Sequence, residues 1–192
     1  MLLNNVQLFE SINASAATPH SAIAFALAIA QWLIWALPVG MVLLWLRGGQ
    51  AQRLGLLEAA LATFVALGIG QLVALAWPEP RPFMLHLGSQ FLAHSADPGL
   101  PSDHTTVFWA LAWSTLLGKR LARWSPALFA LGLLVGWSRV FLGVHFPFDV
   151  AAALPVALAG ALVVRTLRQP LLPAYGAALR CWAALARRVV RA

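Results

Sequence analysis

AIAFALAIAQWLIWALPVGMVLLWL, residues 22–46, contains no Asp, Glu, Lys or Arg. About 20 apolar residues in a helix match the hydrocarbon thickness of a bilayer, so this stretch can span with some tilt. The same reading extends outward. RGGQAQR (47–53) is a glycine-bearing turn with an arginine at each end, and a second span follows over 54–77. It carries Glu58 near its start and is closed by Pro78 and Pro80, which cannot continue a helix. Residues 79–102 form the one long polar connection, with a short helix expected from Phe83 to His94. A third span is expected over 103–118, then the basic turn GKRLARW (118–124), a fourth span over 126–143 and a fifth over 147–166. VHFPF (144–148) makes the last connection tight.

Residues 168–192 set Arg180, Arg187, Arg188 and Arg191 among Leu, Ala, Trp and Val. That tail is too charged to span easily and is expected to lie as an interfacial helix on an anionic membrane face. Residues 1–20 form a short amphipathic or irregular lead-in, with Leu2, Leu3, Val6, Leu8 and Phe9 as surface anchors. The expected fold class is all-α: a polytopic membrane helix bundle of about five transmembrane helices, a short outer-loop helix and an interfacial C-terminal helix. Residues 1–192 are expected to form a single integral-membrane domain.

Composition agrees. The chain is 61% hydrophobic and only 10% charged, with a mean hydropathy of +0.79, which is membrane-class. A length of 192 residues leaves no room for a large soluble domain as well. The net charge of +7 would suit nucleic acid, but the basic residues follow loop sidedness, a topology signal rather than a recognition patch. The lone Cys181 excludes an intramolecular disulfide and a Cys-based metal cluster; it reads as apolar filler. MLLNNVQLFE has neither a positive n-region nor an adequate apolar h-region, so the first span is expected to serve as its own insertion signal.

Sidedness singles out a cluster. With the two basic turns and the tail on the cytoplasmic side, the positive-inside bias accounts for eleven of the thirteen basic residues, all except Arg81 and Arg139. All five His (His20, His86, His94, His104, His145) and five of the six acids share the outer side with those two arginines. Ionisable groups at a membrane are expensive and mark function by default.

In WSRVFLGVHFPFD (137–149), His145 and Asp149 are four apart, a spacing that puts both on one helix face. A carboxylate behind an imidazole fixes its tautomer and stabilises the imidazolium, as a nucleophilic or general-base His requires. Arg139 offers a forked guanidinium suited to phosphate oxygens. The blander reading is that Arg139 snorkels to headgroups and Asp149 merely caps a helix. In LPSDHTT (100–106), Ser102 and Asp103 open a span and supply free N–H groups and a hydroxyl, an anion site, while His104 can donate a proton to a leaving oxygen. An ordinary N-cap beside an incidental His would look the same. Arg81, in EPRP, is aimed by flanking prolines. His86 and His94, in the long outer loop, are accessory positions near substrate; a loop His is more often simply solvated.

RP, PSDH and SR-x5-H-x3-D, in that order and on one membrane side, resemble the three motifs of the type 2 phosphatidic acid phosphatase superfamily. Within it, the stretch from PRPF through PSDHTT to WSRVFLGVHFPFDV is similar to bacterial undecaprenyl-diphosphate phosphatases of the bacitracin-resistance type. The likeness covers roughly residues 5 to 165. It implies that His145 forms a phosphohistidine, Asp149 orients it, and His104 protonates the leaving phosphate. It also implies that Arg81, Ser102 and Arg139 hold the phosphoryl oxygens, and that no metal or other cofactor is used. Two positions depart from the K-x6-RP and PSGH patterns: Ala74 stands where a lysine is expected, and Asp103 replaces the glycine. A carboxylate beside a phosphate repels it, so Asp103 is expected to point away or to pair with an Arg or His. By the resemblance, both departures point to the diphosphate-phosphatase branch.

The expected activity is hydrolysis of undecaprenyl diphosphate to the monophosphate at the outer face, recycling the carrier lipid of the cell wall and giving bacitracin resistance. The expected location is a bacterial inner membrane, with a polyprenyl diphosphate lipid and membrane lipids as partners and no nucleic acid. Competing readings keep the site but change the lipid to phosphatidylglycerophosphate, phosphatidate or lipid A. Another reading drops the chemistry for a non-catalytic lipid-binding or transport protein, since fold alone does not give function.

Overall fold

A computed structural model describes residues 2–191, with side chains for 4–187. The anchors Leu2 and Leu3 and the tail's Arg188 and Arg191 therefore lie outside the described side chains. Seven α-helices follow in order among the described residues: α1 (Leu2–Ile12), α2 (His20–Arg47), α3 (Gln50–Ala76), α4 (Asp103–Gly118), α5 (Ser125–Phe141), α6 (Pro147–Thr166) and α7 (Arg168–Arg191). No strand occurs among those residues.

The boundaries follow local chemistry. α3 begins after Gly48-Gly49, where the Gln52 Oε1 atom accepts the Gly49 N–H at 3.0 Å, and it ends at Trp77 before Pro78. α6 opens with Pro147, whose missing N–H has no partner to lose in a first turn. The expected loop helix over 83–94 is not there. Only a four-residue 3-10 turn, Pro82–Leu85, forms, because Gly88, Pro98 and the polar run between them supply no continuous apolar face. The lead-in is more regular than expected, since α1 is a true helix whose Phe9 is fully buried against Phe146, ring centroids 5.4 Å apart.

Four segments are long and apolar enough to cross a membrane: α2, α3, Ala122–Phe141 and α6. The remaining expected span, α4, has 16 residues and reaches only about 24 Å against a hydrocarbon core of about 30 Å. It survives that shortfall because α3, α5 and α6 enclose it; protein, not lipid, surrounds Thr105, Thr106, Phe108 and Trp109. Small residues let these helices approach. A Cβ on Gly160 of α6 would lie 2.6 Å from the Cβ of Ala66 on α3, close packing of the kind that replaces the hydrophobic drive inside a bilayer. Outward, Phe25, Trp32, Trp35, Phe64, Leu72 and Leu75 are exposed, the hydrocarbon-facing belt of a multi-pass membrane protein.

α7 stays at one face instead of crossing. Arg168 at its start bonds Glu58 of α3 at 2.9 Å, and Trp182, fourteen residues on, meets Trp45 edge to face, ring centroids 5.8 Å apart, with Arg53 over the Trp182 ring. Trp45 and Arg53 flank the α2–α3 turn, so both parts of α7 touch that same end of the bundle. Cys181 on this helix is exposed, not the apolar filler expected.

Candidate active site

At the opposite end of the bundle the chain doubles back between α5 and α6. Gly143 adopts φ +81°, a left-handed conformation open to glycine, and any Cβ there would run into the carbonyl of Ser89. This turn presents His145 with 2% exposure. Asp149, in the first turn of α6, uses one oxygen twice: Oδ2 accepts the Phe146 N–H at 2.8 Å and lies 3.2 Å from His145 Nδ1. Capping the helix and orienting the imidazole are thus one arrangement, not rival readings.

Arg81 reaches the same ring from the other side. Its Nη1 lies 2.9 Å from His145 Nε2 and donates to the Val144 carbonyl at 3.0 Å. Nε donates to the Asp97 carbonyl and to Asp97 Oδ1, both at 3.0 Å, and Nη2 to the Pro98 carbonyl at 3.2 Å. An arginine can only donate, and a carboxylate can only accept. The hydrogen-bond pattern therefore assigns the proton to Nδ1, facing Asp149, and a lone pair to Nε2. Burial, then the charges of Arg81 and Arg139, hold the His145 pKa well below the ordinary histidine value, so the ring is neutral near pH 7.

Ser102 is fully buried at the start of α4. Its N–H donates to the Asp149 carbonyl at 3.0 Å, and its hydroxyl shares a hydrogen bond with Thr105 at 3.2 Å. Arg139, in the last turn of α5, is 3% exposed, yet its Nε and Nη2 have no partner among the described residues. Unpaired buried donors of a charged group are costly. His104 is half-buried, with Arg139, His145, His94 and Arg81 all within electrostatic reach.

The structure thus brings Arg81, Ser102, His104, Arg139, His145 and Asp149 to one place. Asp103 is exposed and forms no ion pair among the described residues, so the expected pairing is not made, although Arg81 and Arg139 lie within electrostatic reach of its carboxylate. His94 joins the cluster, its ring centroid 6.3 Å from that of His145; burial and Arg81 lower its pKa. His86 does not join. It is exposed at the end of the 3-10 turn with φ +56° and is not among the groups acting on His104 or His145.

Sequence reasoning missed Asp97. Burial alone would raise the pKa of its carboxyl, but the charge and hydrogen bond of Arg81 pull it below the usual range, so it is a firm anionic anchor for that guanidinium. Glu79, a neighbour in sequence, instead accepts a hydrogen bond from Trp77 Nε1 at 2.9 Å. Two asparagines of the N-terminal segment were missed as well. Asn13 bonds Ser89 through both its oxygen and its nitrogen and also the Phe141 carbonyl, while Asn5 accepts the Phe148 N–H at 3.2 Å. No local pattern signals these, since their partners lie 76 to 143 residues away.

Taken as chemistry, the cluster holds a neutral, oriented imidazole with a free lone pair, two guanidinium groups, a second imidazole and a helix start. Such a set can bind a tetrahedral dianion and exchange its phosphoryl group. The sequence pattern of the PAP2 superfamily matches residues 55–172, which includes every one of these groups. YbjG of Escherichia coli (strain K12), whose name carries a provisional undecaprenyl-diphosphatase assignment, is 40% identical over 169 residues, 86% of this chain and 83% of its own length. The undecaprenyl-diphosphatase BcrC of Bacillus subtilis (strain 168) is 36% identical over 130 residues, 68% of this chain and 66% of its own. The crystal structure of Aquifex aeolicus LpxE superposes with a TM-score of 0.69 at 21% identity, covering 85% of this chain and 95% of that one, a likeness of fold.

Proposed function

The chain belongs to the PAP2 superfamily, and from that premise we propose that it hydrolyses undecaprenyl diphosphate to undecaprenyl phosphate and inorganic phosphate through a phosphohistidine on His145. The observation that carries the reading is Arg139: a buried guanidinium with two unpartnered nitrogens, in electrostatic reach of His145 and His104, needs an anion, and a terminal phosphate supplies one. The names of the two relatives above favour a diphosphate lipid over other phosphate esters.

The steps follow from the geometry. The terminal phosphate docks on Arg139 and the Ser102 helix start, and Arg81 Nη1 swings from His145 Nε2 to a phosphoryl oxygen. Nε2 then attacks the terminal phosphorus, forming the N–P bond as the bridging P–O bond breaks. Positive charge on the imidazolium is met by Asp149. His104, which takes up a proton as the phosphate dianion docks beside it, gives that proton to the departing undecaprenyl phosphate. Next, His104 takes a proton from water, whose oxygen attacks phosphorus, breaks the N–P bond and releases inorganic phosphate. Each fixed charge is worth more in this enclosed setting than in water. The site would face the outside of a bacterial inner membrane, with the basic turns and α7 cytoplasmic, so that hydrolysis recycles the wall carrier and confers bacitracin resistance.

The test is phosphate release from undecaprenyl diphosphate in detergent, with and without EDTA, beside phosphatidylglycerophosphate, phosphatidate and lipid A substrates. Native protein should prefer the polyprenyl diphosphate and ignore EDTA, and His145→Ala should lose essentially all turnover. Retained turnover in that variant would end the nucleophile assignment, and a preference for another lipid would end the substrate assignment.

A further inference from the structure

At the end of the bundle away from His145, the tips of α3, α4, α6 and α7 enclose a cavity of about 420 Å³. One wall is Glu58, 7% exposed. Its Oε1 accepts Arg168 Nε at 2.9 Å and its Oε2 accepts Arg120 Nη1 at 3.0 Å. Lys119 and Arg165 line the same space, so four cations face a single carboxylate. Glu58 can balance one of them. The remaining positive charges repel one another at a membrane boundary, where water screens poorly.

The cations are only partly engaged by Glu58. Glu58 fixes Arg168 by Nε and Arg120 by one terminal nitrogen, leaving both Nη groups of Arg168 and the Nη2 of Arg120 without a partner among the described residues. Lys119 takes the left-handed C-cap position of α4 at φ +62°, a helix ending that glycine also suits. The hydroxyl of Tyr175, a residue 7% exposed, has no partner among the described residues and lies in electrostatic reach of Glu58 and Arg168. Leu117, Ala161 and Val164 line the same cavity beside the cations.

We propose that this cavity is a second anion site, which takes the phosphate of an anionic membrane lipid on the face opposite the histidine cluster. Guanidinium forks match phosphate oxygens, and basic pockets between transmembrane helices at the cytoplasmic side suit lipid headgroups. Leu117, Ala161 and Val164 among the cations give an acyl chain an apolar surface to lie on, which favours a lipid over a free ion. α7 lies along this same end, so the occupied site would fasten it to α3 and to the α4–α5 turn. The site is independent of the reaction proposed at His145.

Native mass spectrometry of the full chain in zwitterionic detergent, titrated with phosphatidylglycerol, phosphatidylcholine or inorganic phosphate, reads the site directly. Phosphatidylglycerol should bind saturably and phosphatidylcholine should not. The double variant Lys119→Gly and Arg165→Gln should weaken phosphatidylglycerol by about tenfold or more, from the usual contribution of basic side chains near a membrane surface. Glycine suits φ +62°, so this variant keeps its fold, and its hydrolysis at the histidine cluster should stay at the native rate. A control pair outside the cavity, Arg47→Gln and Arg123→Gln, removes the same charge and should change binding by less than about twofold, as for screened surface charges. Inorganic phosphate that binds alone and is lost in the cavity variant would keep the anion site but overturn the lipid as its source. Equal loss in the control pair, or no loss in the cavity variant, would overturn the site itself.

Discussion

Arg81 Nη1 lies 2.9 Å from Nε2 of His145, on the nitrogen that Asp149 leaves unprotonated. On the proposed function, the resting site is closed by its own cation: the lone pair that would attack phosphorus faces a guanidinium that would have to move to a phosphate oxygen first. Four other bonds, to Asp97, Pro98 and Val144, fix where that guanidinium can go. Arg81→Lys keeps the charge and loses the fork. It should lower kcat/KM by about 100-fold or more, the range seen when one donor to a developing charge is removed. Steady-state phosphate release measures it, and a loss of only a few-fold would show that charge alone suffices at this position.

Asp149 is buried to 1% exposure and serves both the Phe146 N–H and His145 Nδ1. Asp149→Asn can still accept at the helix start, so the fold should survive with little change in melting temperature. It can no longer stabilise the imidazolium, and its amide N–H favours the wrong tautomer. By analogy with other His–Asp pairs, kcat should fall by about 10,000-fold. A variant within tenfold of native activity would leave Asp149 with a capping role only.

The sign of the pH dependence follows from burial. The His145 pKa is held well below 6.5, so the proposed nucleophile stays neutral as pH falls through the range where an ordinary histidine protonates. The acid limb of kcat/KM, which reports the free enzyme, should lie below pH 6.5. Stability moves the other way. The unfolded chain takes up a proton near 6.5 while the folded one refuses it, so the unfolded state binds more protons and stability drops as pH falls below 6.5. His94, also lowered, adds to the same trend. Melting temperatures of the native protein and of His145→Ala between pH 8 and pH 5 check this, and a native protein that loses no more stability on acidification than the variant would contradict the buried neutral ring.

Much of this site was legible because charge is rare in the chain. Arg81 and Arg139 broke the positive-inside pattern, and the spacing of His145 and Asp149 already implied a shared face. The apolar runs likewise announced α2, α3, α5 and α6. Other features had no local signature. Asp97 is one acid in a polar loop, and only the path of 79–102 back over Arg81 gives it meaning. Glu58 sits in a span where a lone carboxylate looks like an error, until its partners Arg120 and Arg168, 62 and 110 residues on, arrive at the same end. The 3-10 turn at Pro82–Leu85 was read as a longer helix because apolar residues in that loop pack inward from an irregular backbone, Leu92 against Leu142 and Val144.

Asn13 ties the N-terminal segment to the site. It accepts the Ser89 N–H at 2.7 Å and donates to the carbonyls of Ser89 and Phe141 at 3.0 and 3.1 Å, beside the glycine turn that presents His145. Asn13→Ala leaves the Ser89 N–H and the Ser89 carbonyl short of a partner in a half-buried place, while the Phe141 carbonyl keeps the Ala14 N–H at 2.9 Å. The cost should be about 2–3 kcal/mol, from the penalty for unsatisfied polar groups, seen as a lower melting temperature and faster proteolysis near residues 12–20. Activity should fall with it, because Ser89 also packs on Gly143. A variant with native melting and native turnover would mean that α1 rides on the bundle without bracing it.

The two departures from the family pattern act on each other. Asp103 Oδ1 would stand 3.9 Å from a Cβ placed on Gly70, and Ala74 is one helical turn beyond Gly70 on the same face of α3. A lysine at 74 would therefore meet the Asp103 carboxylate before it met a phosphate. On the proposed function, Arg81 and Arg139 would bind the phosphate without that lysine. Ala74→Lys alone should form an exposed ion pair worth under about 1 kcal/mol and leave kcat/KM within about threefold of native. Combined with Asp103→Gly, the same lysine is free to reach phosphate, and the inhibition constant for inorganic phosphate should fall by about fivefold, one near-surface charge. The four proteins of this double-mutant cycle separate the coupling from the single effects. If Ala74→Lys tightens phosphate equally in both backgrounds, Asp103 does not face position 74, and the missing lysine is compensated elsewhere.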